Sequence, residues 1–428
     1  MTAKAGDRVK VTTSDEIKEG ILMPNEETDS VVIKLDNGYN VGIDKKKVKE
    51  IKLIEKYKEK KETAKKEAKK DSKKPTIAIL HTGGTIASKV DYSTGGVISS
   101  FSDEDFISMF PEIKDIANVK TSLISNMMSE DLGIDHYKKI AGAISKEIKN
   151  KVDGIIIGHG TDTLGITPAA MAFIFENLPI PVIFVGSQRS TDRGSTDAAA
   201  NLICAAEFIA KTDFAGVGIC MHESTSDNNC AILPATKTKK LHTSRRDAFK
   251  PVNDTIIARV DYETRKIELV KKDYTRKSDK KMIVRDNFES KVAVVRTYPN
   301  MFSDILDILT KKKYKGIVLE GTGMGHAPTN IKENLSNYNA LKKFVGNGGI
   351  VVVTSQTVFG RVHRDIYVNT RRLGNIGCIF GQDMLTETAF TKLSWLLGNF
   401  KKDEVKELIA KNLRGEINDR LSEDEFLD

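Results

Sequence analysis

Cysteine is scarce in this chain, and its spacing indicates neither a disulfide framework nor a metal site. No two of the 4 cysteines form a CxxC pair; they are Cys204, Cys220, Cys230 and Cys378. Sparse cysteines of this kind are typical of buried thiols in a reducing compartment. The 7 histidines form no HExxH motif or other paired spacing. The sequence therefore predicts no metal centre on this chain.

Long apolar runs are also missing. No segment approaches the ~20 apolar residues that a membrane-spanning helix requires. Residues 1–7 lack the apolar stretch of a signal peptide. Hydrophobic residues make up 39% and charged residues 29% of the chain, a balance typical of globular proteins. We therefore expect a cytoplasmic protein that makes no membrane contact.

Positive charge is concentrated in one segment of the chain, whose net charge is +8. Between Lys56 and Lys74 the sequence reads KYKEKKETAKKEAKKDSKK. This composition is typical of a solvated helical or flexible linker, and contact with nucleic-acid phosphates is the alternative. We assign residues 55–74 as a linker between two regions with different patterns.

The region before the linker has a β pattern. Short apolar runs alternate with turns, and Asn37-Gly38 lies between two of them. Both residues tolerate positive φ, so the pair is a strong hairpin signal. The pattern predicts a small all-β barrel, SH3-like in size, over residues 1–54.

Strands alternate with amphipathic helices after the linker, which predicts a doubly wound α/β fold. We expect a larger domain over residues 75–275 and a smaller one over 290–428. Near-continuous Ile/Val runs indicate buried parallel strands at Thr76–His81, Gly154–Gly158, Val182–Gly186, Gly216–Met221, Val292–Arg296, Gly316–Gly321 and Gly349–Thr354. Helices are expected at Ile134–Lys149, Thr196–Lys211, Ser303–Lys312 and Ile331–Phe344, with a charged surface helix and frayed tail over Lys401–Asp428.

Two predicted strands end in loops rich in glycine and hydroxyl groups. HTGGTIAS follows the strand that ends near His81, and GHGTDT follows the strand Gly154–Gly158. Ligands in open α/β sheets bind beyond the carboxyl ends of strands, so both loops are candidate site loops. Taken singly, the first reads equally well as a tight strand-to-helix turn, and the Thr161-Asp162 pair of the second as a helix cap.

Together the two motifs resemble the signatures of the L-asparaginase/glutaminase family of amidohydrolases. The resemblance covers about residues 75–420 and implies an asparaginase-like pair of α/β domains. It also implies that Thr85 attacks a carboxamide, with Thr161, Asp162 and Lys240 as a proton relay. Family members differ in which threonine attacks first, so both orders stay open.

Further positions follow from the same resemblance. It implies that Tyr92 lies on a mobile lid and that Ser129 and Glu130 hold the carboxylate end of the substrate. Backbone N–H groups around Gly84 and Thr161 would stabilise the oxyanion. Lys240 is chosen over Lys237 and Lys239 by its spacing to Phe249. Met324 stands where the family has a polar substrate contact, which leaves the binding of the substrate amine open.

The β-barrel and lysine-rich segment ahead of an asparaginase-like region resemble the D-subunit family of archaeal-type glutamyl-tRNA(Gln) amidotransferases. That resemblance implies a glutaminase whose ammonia passes to a tRNA-binding partner, the E-subunit, in a heterotetramer built on a homodimer. The chain itself would need no cofactor. ATP and Mg²⁺ would be used by the partner, since no GxxxxGK[ST] motif occurs here. The alternatives are a stand-alone asparaginase or glutaminase and a non-catalytic amino-acid sensor.

Overall fold

The computed structural model describes residues 3–23, 29–36, 40–56, 71–83, 89–90, 97–98, 109–189 and 195–426. The Asn37-Gly38 turn and most of the lysine-rich segment lie outside these residues, as do Gly84, Thr85 and Tyr92. Within the described part, no helix is long and apolar enough to cross a membrane.

The amino-terminal region is all-β, as predicted. Five strands form an antiparallel sheet in the order β4-β3-β2-β1-β5: β1 Arg8–Thr13, β2 Ile17–Leu22, β3 Ser30–Lys34, β4 Asn40–Asp44 and β5 Val48–Glu55. Val9 and Val11 of β1 pack with Ile33 and Ile43 in a small core. Sequence analysis missed β5 because half of its residues are charged and most are exposed. Its pairing with β1, interrupted by two register shifts, makes it a strand.

The described remainder of the chain is α/β. Its strands are β6 Thr76–His81, β7 Lys89–Val90, β8 Val97–Ile98, β9 Asn118–Leu123, β10 Gly154–Gly158, β11 Phe175–Glu176, β12 Pro181–Val185, β13 Gly216–His222, β14 Asn229–Pro234, β15 Thr238–Lys240, β16 Phe249–Pro251, β17 Ala258–Asp261, β18 Ile267–Leu269, β19 Ile283–Val284, β20 Val292–Arg296, β21 Gly316–Gly321, β22 Ile350–Ser355 and β23 Ile379–Phe380. Its α-helices are α1 Ile113–Ile116, α2 Ile134–Lys149, α3 Thr167–Ile174, α4 Ala198–Lys211, α5 Asp304–Lys311, α6 Leu335–Gly346, α7 Val368–Asn375, α8 Thr386–Asn399 and α9 Lys402–Leu408.

The larger sheet has eight strands in the order β18-β17-β14-β13-β12-β10-β6-β9. The five from β13 to β9 are parallel, and four of them were expected. Sequence analysis missed β9 and the antiparallel edge that β14, β17 and β18 add. Both faces are covered: Ile155 and Ile157 of β10 belong to one hydrophobic core, and Ile156 belongs to the other. Burial on both faces explains the unbroken Ile/Val runs of these strands.

The smaller sheet is a four-stranded parallel sheet in the order β20-β21-β22-β23. Helix α8 packs against β20, β21 and β22 and also against α3 of the larger unit. The two α/β units therefore share one hydrophobic core, in which Trp395 of α8 stacks on Phe173 of α3. The fold class inferred from the sequence is confirmed.

The prediction of a charged surface helix with a frayed tail over Lys401–Asp428 was right for the helix and wrong for the tail. The short helix α9 is charged and mostly exposed, whereas Ile409 and Ile417 beyond it are buried. Glu416 is fully buried and pairs with the equally buried Lys392 of α8 at 2.6 Å. The sequence alone cannot reveal such a pair, because a charged residue is expected to be exposed to solvent unless its partner is known.

Candidate active site

Three loops meet at the carboxyl edge of the larger sheet. Strands β6, β10 and β12 are adjacent and parallel, and Gly158 is in register with both His81 and Val185. The loops that follow these three strands therefore lie side by side. This is the edge at which open α/β sheets bind ligands.

The second of these loops places a hydroxyl and a carboxylate beside a lysine. Lys240 Nζ donates to Thr161 Oγ1 at 2.9 Å and to Asp162 Oδ1 at 2.8 Å. The Lys240 side chain is only 16% exposed, whereas that of Asp162 is 66% exposed. The arrangement therefore has a sheltered amine and a carboxylate that reaches solvent. Chemically, it can move a proton at the Thr161 hydroxyl.

Only one of the three neighbouring lysines contacts Thr161. Lys240 ends β15, which forms a hairpin with β16 and pairs Lys240 with Phe249. Lys237 instead forms an ion pair with Asp383, and Lys239 forms one with Glu387. The structure thus brings Thr161, Asp162 and Lys240 together and directs the other two lysines elsewhere.

The first loop is described up to Gly83. Thr82 donates from both its backbone N–H and its hydroxyl to the carbonyl oxygen of Gly158, at 3.0 and 3.1 Å. Gly83 has φ +105°, and a Cβ there would lie 2.4 Å from the carbonyl oxygen of Met127. Only glycine therefore fits this turn. The first loop begins against the second, and the predicted site residues Gly84, Thr85 and Tyr92 follow outside the described residues.

Ser129 lies against the second loop, in a short 3-10 turn over Ser129–Asp131. It is 3% exposed, and a Cβ on Gly160 would come within 2.8 Å of the Ser129 Cβ. The Thr163 hydroxyl donates to the Ser129 carbonyl oxygen at 2.8 Å. Glu130 is exposed beside it. The structure thus places Ser129 at the backbone of the Thr161 loop.

Sequence analysis missed the third loop, which follows β12. The Thr161 hydroxyl donates to Gln188 Oε1 at 3.4 Å. The Asp197 carboxylate holds this loop by accepting from Ser187 Oγ and from the backbone N–H groups of Gln188 and Arg189, at 2.9 to 3.0 Å. The sequence signal that could have revealed this loop was the position of Gly186-Ser187-Gln188 at the end of a third buried strand.

Asp197 also lies at the start of the helix that follows the third loop. It occupies the N-cap position of α4, but its side chain makes no capping hydrogen bond. The Thr196 hydroxyl accepts from the Ala198 N–H at 3.3 Å instead. The Asp197 carboxylate is therefore used to shape the site loop.

His159, a neutral histidine, supports the backbone of the second loop through hydrogen bonds. His159 is fully buried; its Nδ1 lies 2.6 Å from the Gly160 carbonyl oxygen and its Nε2 lies 2.9 Å from Thr167 Oγ1. A carbonyl can only accept, so Nδ1 carries the hydrogen and Nε2 accepts from the threonine hydroxyl. Burial lowers the pKa of His159 to about 4, although the Gly160 contact opposes this shift.

The lowered pKa of His159 should make folding sensitive to acid. Between about pH 6.5 and pH 4 the unfolded chain binds this proton more readily than the folded chain, so stability falls as the pH falls. The free energy of unfolding should fall in both proteins when the pH is lowered from 7 to 5. We expect the fall to be about 2 kcal/mol smaller in His159→Gln than in the wild type. Denaturant unfolding at both pH values measures this difference, and parallel losses in the two proteins would contradict it.

The turn that contains Met324 comes from the smaller α/β unit. It spans Thr322–His326 directly after β21, and both Gly323 and Gly325 have positive φ. Met324 is partly exposed, and its backbone carbonyl oxygen accepts from the His363 N–H at 3.1 Å.

Among the described residues, no group of three or more His, Cys, Asp or Glu side chains could hold a metal ion.

Three family models match the chain. The model described as "Asparaginase, N-terminal" matches residues 76–274, and "Glutaminase/Asparaginase C-terminal domain" matches residues 291–409. The model "GatD N-terminal domain" matches residues 3–54.

Curated relatives match over nearly the whole length. The chain is 44% identical over 425 residues to the glutamyl-tRNA(Gln) amidotransferase D-subunit of Pyrococcus furiosus, covering 98% of this chain and 95% of the relative. The protein of the same name from Methanococcus maripaludis is 43% identical, with coverage of 97% and 99%.

Solved structures similar to this chain include two L-asparaginases. The thermostable L-asparaginase from Thermococcus kodakarensis has a TM-score of 0.72 and 29% identity, covering 81% of this chain and 100% of its own. L-asparaginase I from Vibrio cholerae has a TM-score of 0.71 and 27% identity, with coverage of 81% and 99%.

Proposed function

Since the chain belongs to the D-subunit family of glutamyl-tRNA(Gln) amidotransferases, we propose that it is the ammonia-generating glutaminase of such an amidotransferase. It hydrolyses the carboxamide of glutamine, and a partner subunit uses the ammonia to convert Glu-tRNA(Gln) to Gln-tRNA(Gln). The observation that carries the proposal is the contact of Lys240 with Thr161 and Asp162, at 2.9 and 2.8 Å, on the carboxyl edge of an asparaginase-like sheet.

The proposed hydrolysis has two halves. The Thr85 hydroxyl attacks the carboxamide carbon, and its proton passes through Thr161 to the Lys240 amine. The C–N bond then breaks, and the lysine returns the proton to the departing ammonia. Water cuts the acyl-threonine ester, which releases glutamate and restores the hydroxyl. In the alternative order Thr161 attacks first and gives its proton directly to Lys240, so both orders need the same amine.

The remaining groups bind the substrate. The Asp162 carboxylate holds Lys240 through Oδ1 and is 66% exposed, so we assign it a second role as partner of the substrate α-ammonium group. Ser129 and Glu130 hold the carboxylate end. Backbone N–H groups around Gly84 and Thr161 stabilise the oxyanion, and Tyr92 closes over the site. The motifs support the roles of Gly84, Thr85 and Tyr92, which lie outside the described residues.

The proposal extends to the assembly. The chain forms a homodimer and pairs with the tRNA-binding E-subunit to give a heterotetramer in the cytoplasm. ATP and Mg²⁺ act on the partner, and tRNA reaches this chain indirectly. The family match over residues 3–54 and the length of the match to the D-subunit relatives support this assembly.

Ammonia release by the purified chain tests the function. We expect slow release from glutamine by the chain alone and much faster release when the partner subunit, ATP and Glu-tRNA(Gln) are added. A Thr161→Val variant should release no ammonia above background in either case. A wild-type chain that releases none under any of these conditions would overturn the proposal.

A stand-alone asparaginase or glutaminase is the second candidate. It is favoured by the fold match to two L-asparaginases, which covers 81% of this chain. Fast turnover of asparagine or glutamine that is unchanged by partner and tRNA would favour this candidate over the first.

A further inference from the structure

The strand that carries Lys240 is attached to the smaller α/β unit of the same chain. Strand β15 and the two residues before it form three contacts with α8 and the loop in front of it. The Thr388 hydroxyl donates to the Thr236 carbonyl oxygen at 2.8 Å, Lys237 pairs with Asp383, and Lys239 pairs with Glu387. On this side the three contacts lie within the four residues from Thr236 to Lys239, and Lys240 is the next residue.

The two ion pairs differ in their surroundings. Lys237 and Asp383 are both 0% exposed, and the Asp383 carboxylate also accepts from the Asn418 N–H at 3.2 Å. The Lys239 and Glu387 side chains are 26% and 33% exposed. The first pair is therefore part of the core. The second lies closer to the surface, where it can be changed without leaving a fully buried charge.

The start of α8 is itself held by the smaller sheet. The Thr386 hydroxyl donates to Glu320 Oε1 of β21 at 3.1 Å and lies 3.0 Å from the Thr354 hydroxyl of β22. Glu387 is the next residue along the helix. A continuous set of contacts thus runs from the carboxyl ends of two strands of the smaller sheet, through Glu387, to Lys239.

Strand β15 also contacts the loop that contains Thr161. A Cβ on Gly165 would lie 2.8 Å from the Thr238 carbonyl oxygen, so the backbones of this loop and of β15 touch. Successive side chains of a strand point to opposite faces, so fixing Lys239 on one face sets the direction in which Lys240 leaves on the other. A small displacement of β15 would therefore change the contact between Lys240 and Thr161.

We propose that Glu387 is a positioning residue for amide hydrolysis: by pairing with Lys239 it holds β15 so that Lys240 Nζ stays within hydrogen-bonding distance of Thr161. The role in hydrolysis rests on the proposed function. Glu387 acts through Lys239 and touches neither Thr161 nor Lys240. The smaller unit thus sets the geometry of the amine in its own chain.

Kinetics of charge-neutralising variants test the role. We expect Glu387→Gln and Lys239→Met each to lower kcat for glutamine hydrolysis about tenfold with little change in KM, since small misplacements of reacting groups cost rate. Because both act through one contact, the double variant should be no slower than either single one. The exchange of both charges, Lys239→Glu with Glu387→Lys, should restore most of the activity. A purely structural role would lower the unfolding temperature and leave kcat unchanged.

The matched control lies on α9 of the same unit. Asp403 and Lys406 form an exposed pair at 3.4 Å, three residues apart. Asp403→Asn removes one charge, as Glu387→Gln does, but Asp403 is distant from β15 in the sequence and its ion pair does not involve β15. We expect its kcat to match that of the wild type.

A second measurement does not depend on enzymatic turnover. Acetylation by N-hydroxysuccinimidyl acetate, followed by mass spectrometry, reports how readily each lysine reacts. Lys240 should be modified severalfold faster in Glu387→Gln than in the wild type, because its contacts with Thr161 and Asp162 loosen. Unchanged labelling of Lys240, or unchanged kcat in both single variants, would overturn the proposal. If the wild type hydrolyses no amide but Lys240 is still labelled faster in Glu387→Gln than in the wild type, only the proposed function is refuted.

Discussion

Replacing Lys240 by methionine should lower kcat for glutamine hydrolysis by about a thousandfold or more, since a positioned acid-base group contributes roughly 10²–10⁴-fold. The variant keeps an unbranched side chain in a position that is 16% exposed, but it loses the amine that contacts Thr161 and Asp162. Steady-state measurement of ammonia release gives the change. Folding should be unaffected, as circular dichroism can check.

Lys240→Arg separates proton transfer from simple hydrogen bonding. Arginine keeps the positive charge and the donors for Asp162, but it cannot accept a proton in a protein. We expect this variant to be as slow as Lys240→Met. The exposed Lys272 provides a control, and its change to methionine should leave kcat unchanged. Near-normal turnover by Lys240→Arg would show that Lys240 is not the proton acceptor.

Asp383→Ala should lower the free energy of unfolding by about 3–5 kcal/mol, since it leaves one charge of a buried pair without its partner. Lys237 and Asp383 are both 0% exposed. Burial lowers the pKa of Lys237, and the neighbouring Asp383 opposes that shift. Without the carboxylate, the fully buried ammonium loses its ion pair and keeps its hydrogen bond of 3.4 Å to the backbone carbonyl oxygen of residue 383. Guanidinium unfolding monitored by Trp395 fluorescence measures the loss.

An exposed pair provides the comparison for Asp383→Ala. Asp403 is 93% exposed where it pairs with Lys406, and exposed pairs contribute at most about 1 kcal/mol. We therefore expect Asp403→Ala to unfold nearly as the wild type does. Equal losses in the two variants would show that burial does not govern the strength of the Lys237–Asp383 contact.

The strand and helix pattern was readable over much of the chain because burial and amphipathicity leave periodic signals. Helix α2 has the bounds that its apolar period predicts, Ile134–Lys149, and strand β10 has those of its Ile-rich run, Gly154–Gly158. Strand β5 and the antiparallel edge of the larger sheet were missed. Strand β5 is mostly exposed and becomes a strand by pairing with β1, about 40 residues earlier in the chain. Strands β14 and β17 contain buried residues, and they join the sheet through antiparallel pairing with neighbouring strands.

The site was readable where its chemistry is concentrated in a short motif. Thr161 and Asp162 are adjacent, and their loop follows a strand that is recognisable by composition. Gln188 was missed although its loop follows a strand of the same kind, because a single amide carries no distinctive pattern. The charged tail was misread because Glu416 finds Lys392 only after the chain folds back.

The sequence by itself determined the fold class, the two motif loops and the family, because these depend on local periodicity and on short runs of residues. It indicated Lys240 over Lys237 and Lys239 only through the family resemblance and the spacing to Phe249, and it did not show which contacts separate the three lysines. Three lysines within four positions are chemically alike, and they differ only in what lies opposite them: Asp383, Glu387, or Thr161 with Asp162. Only the tertiary structure brings those partners to the strand, since they come from segments about 80 to 150 residues away in the chain.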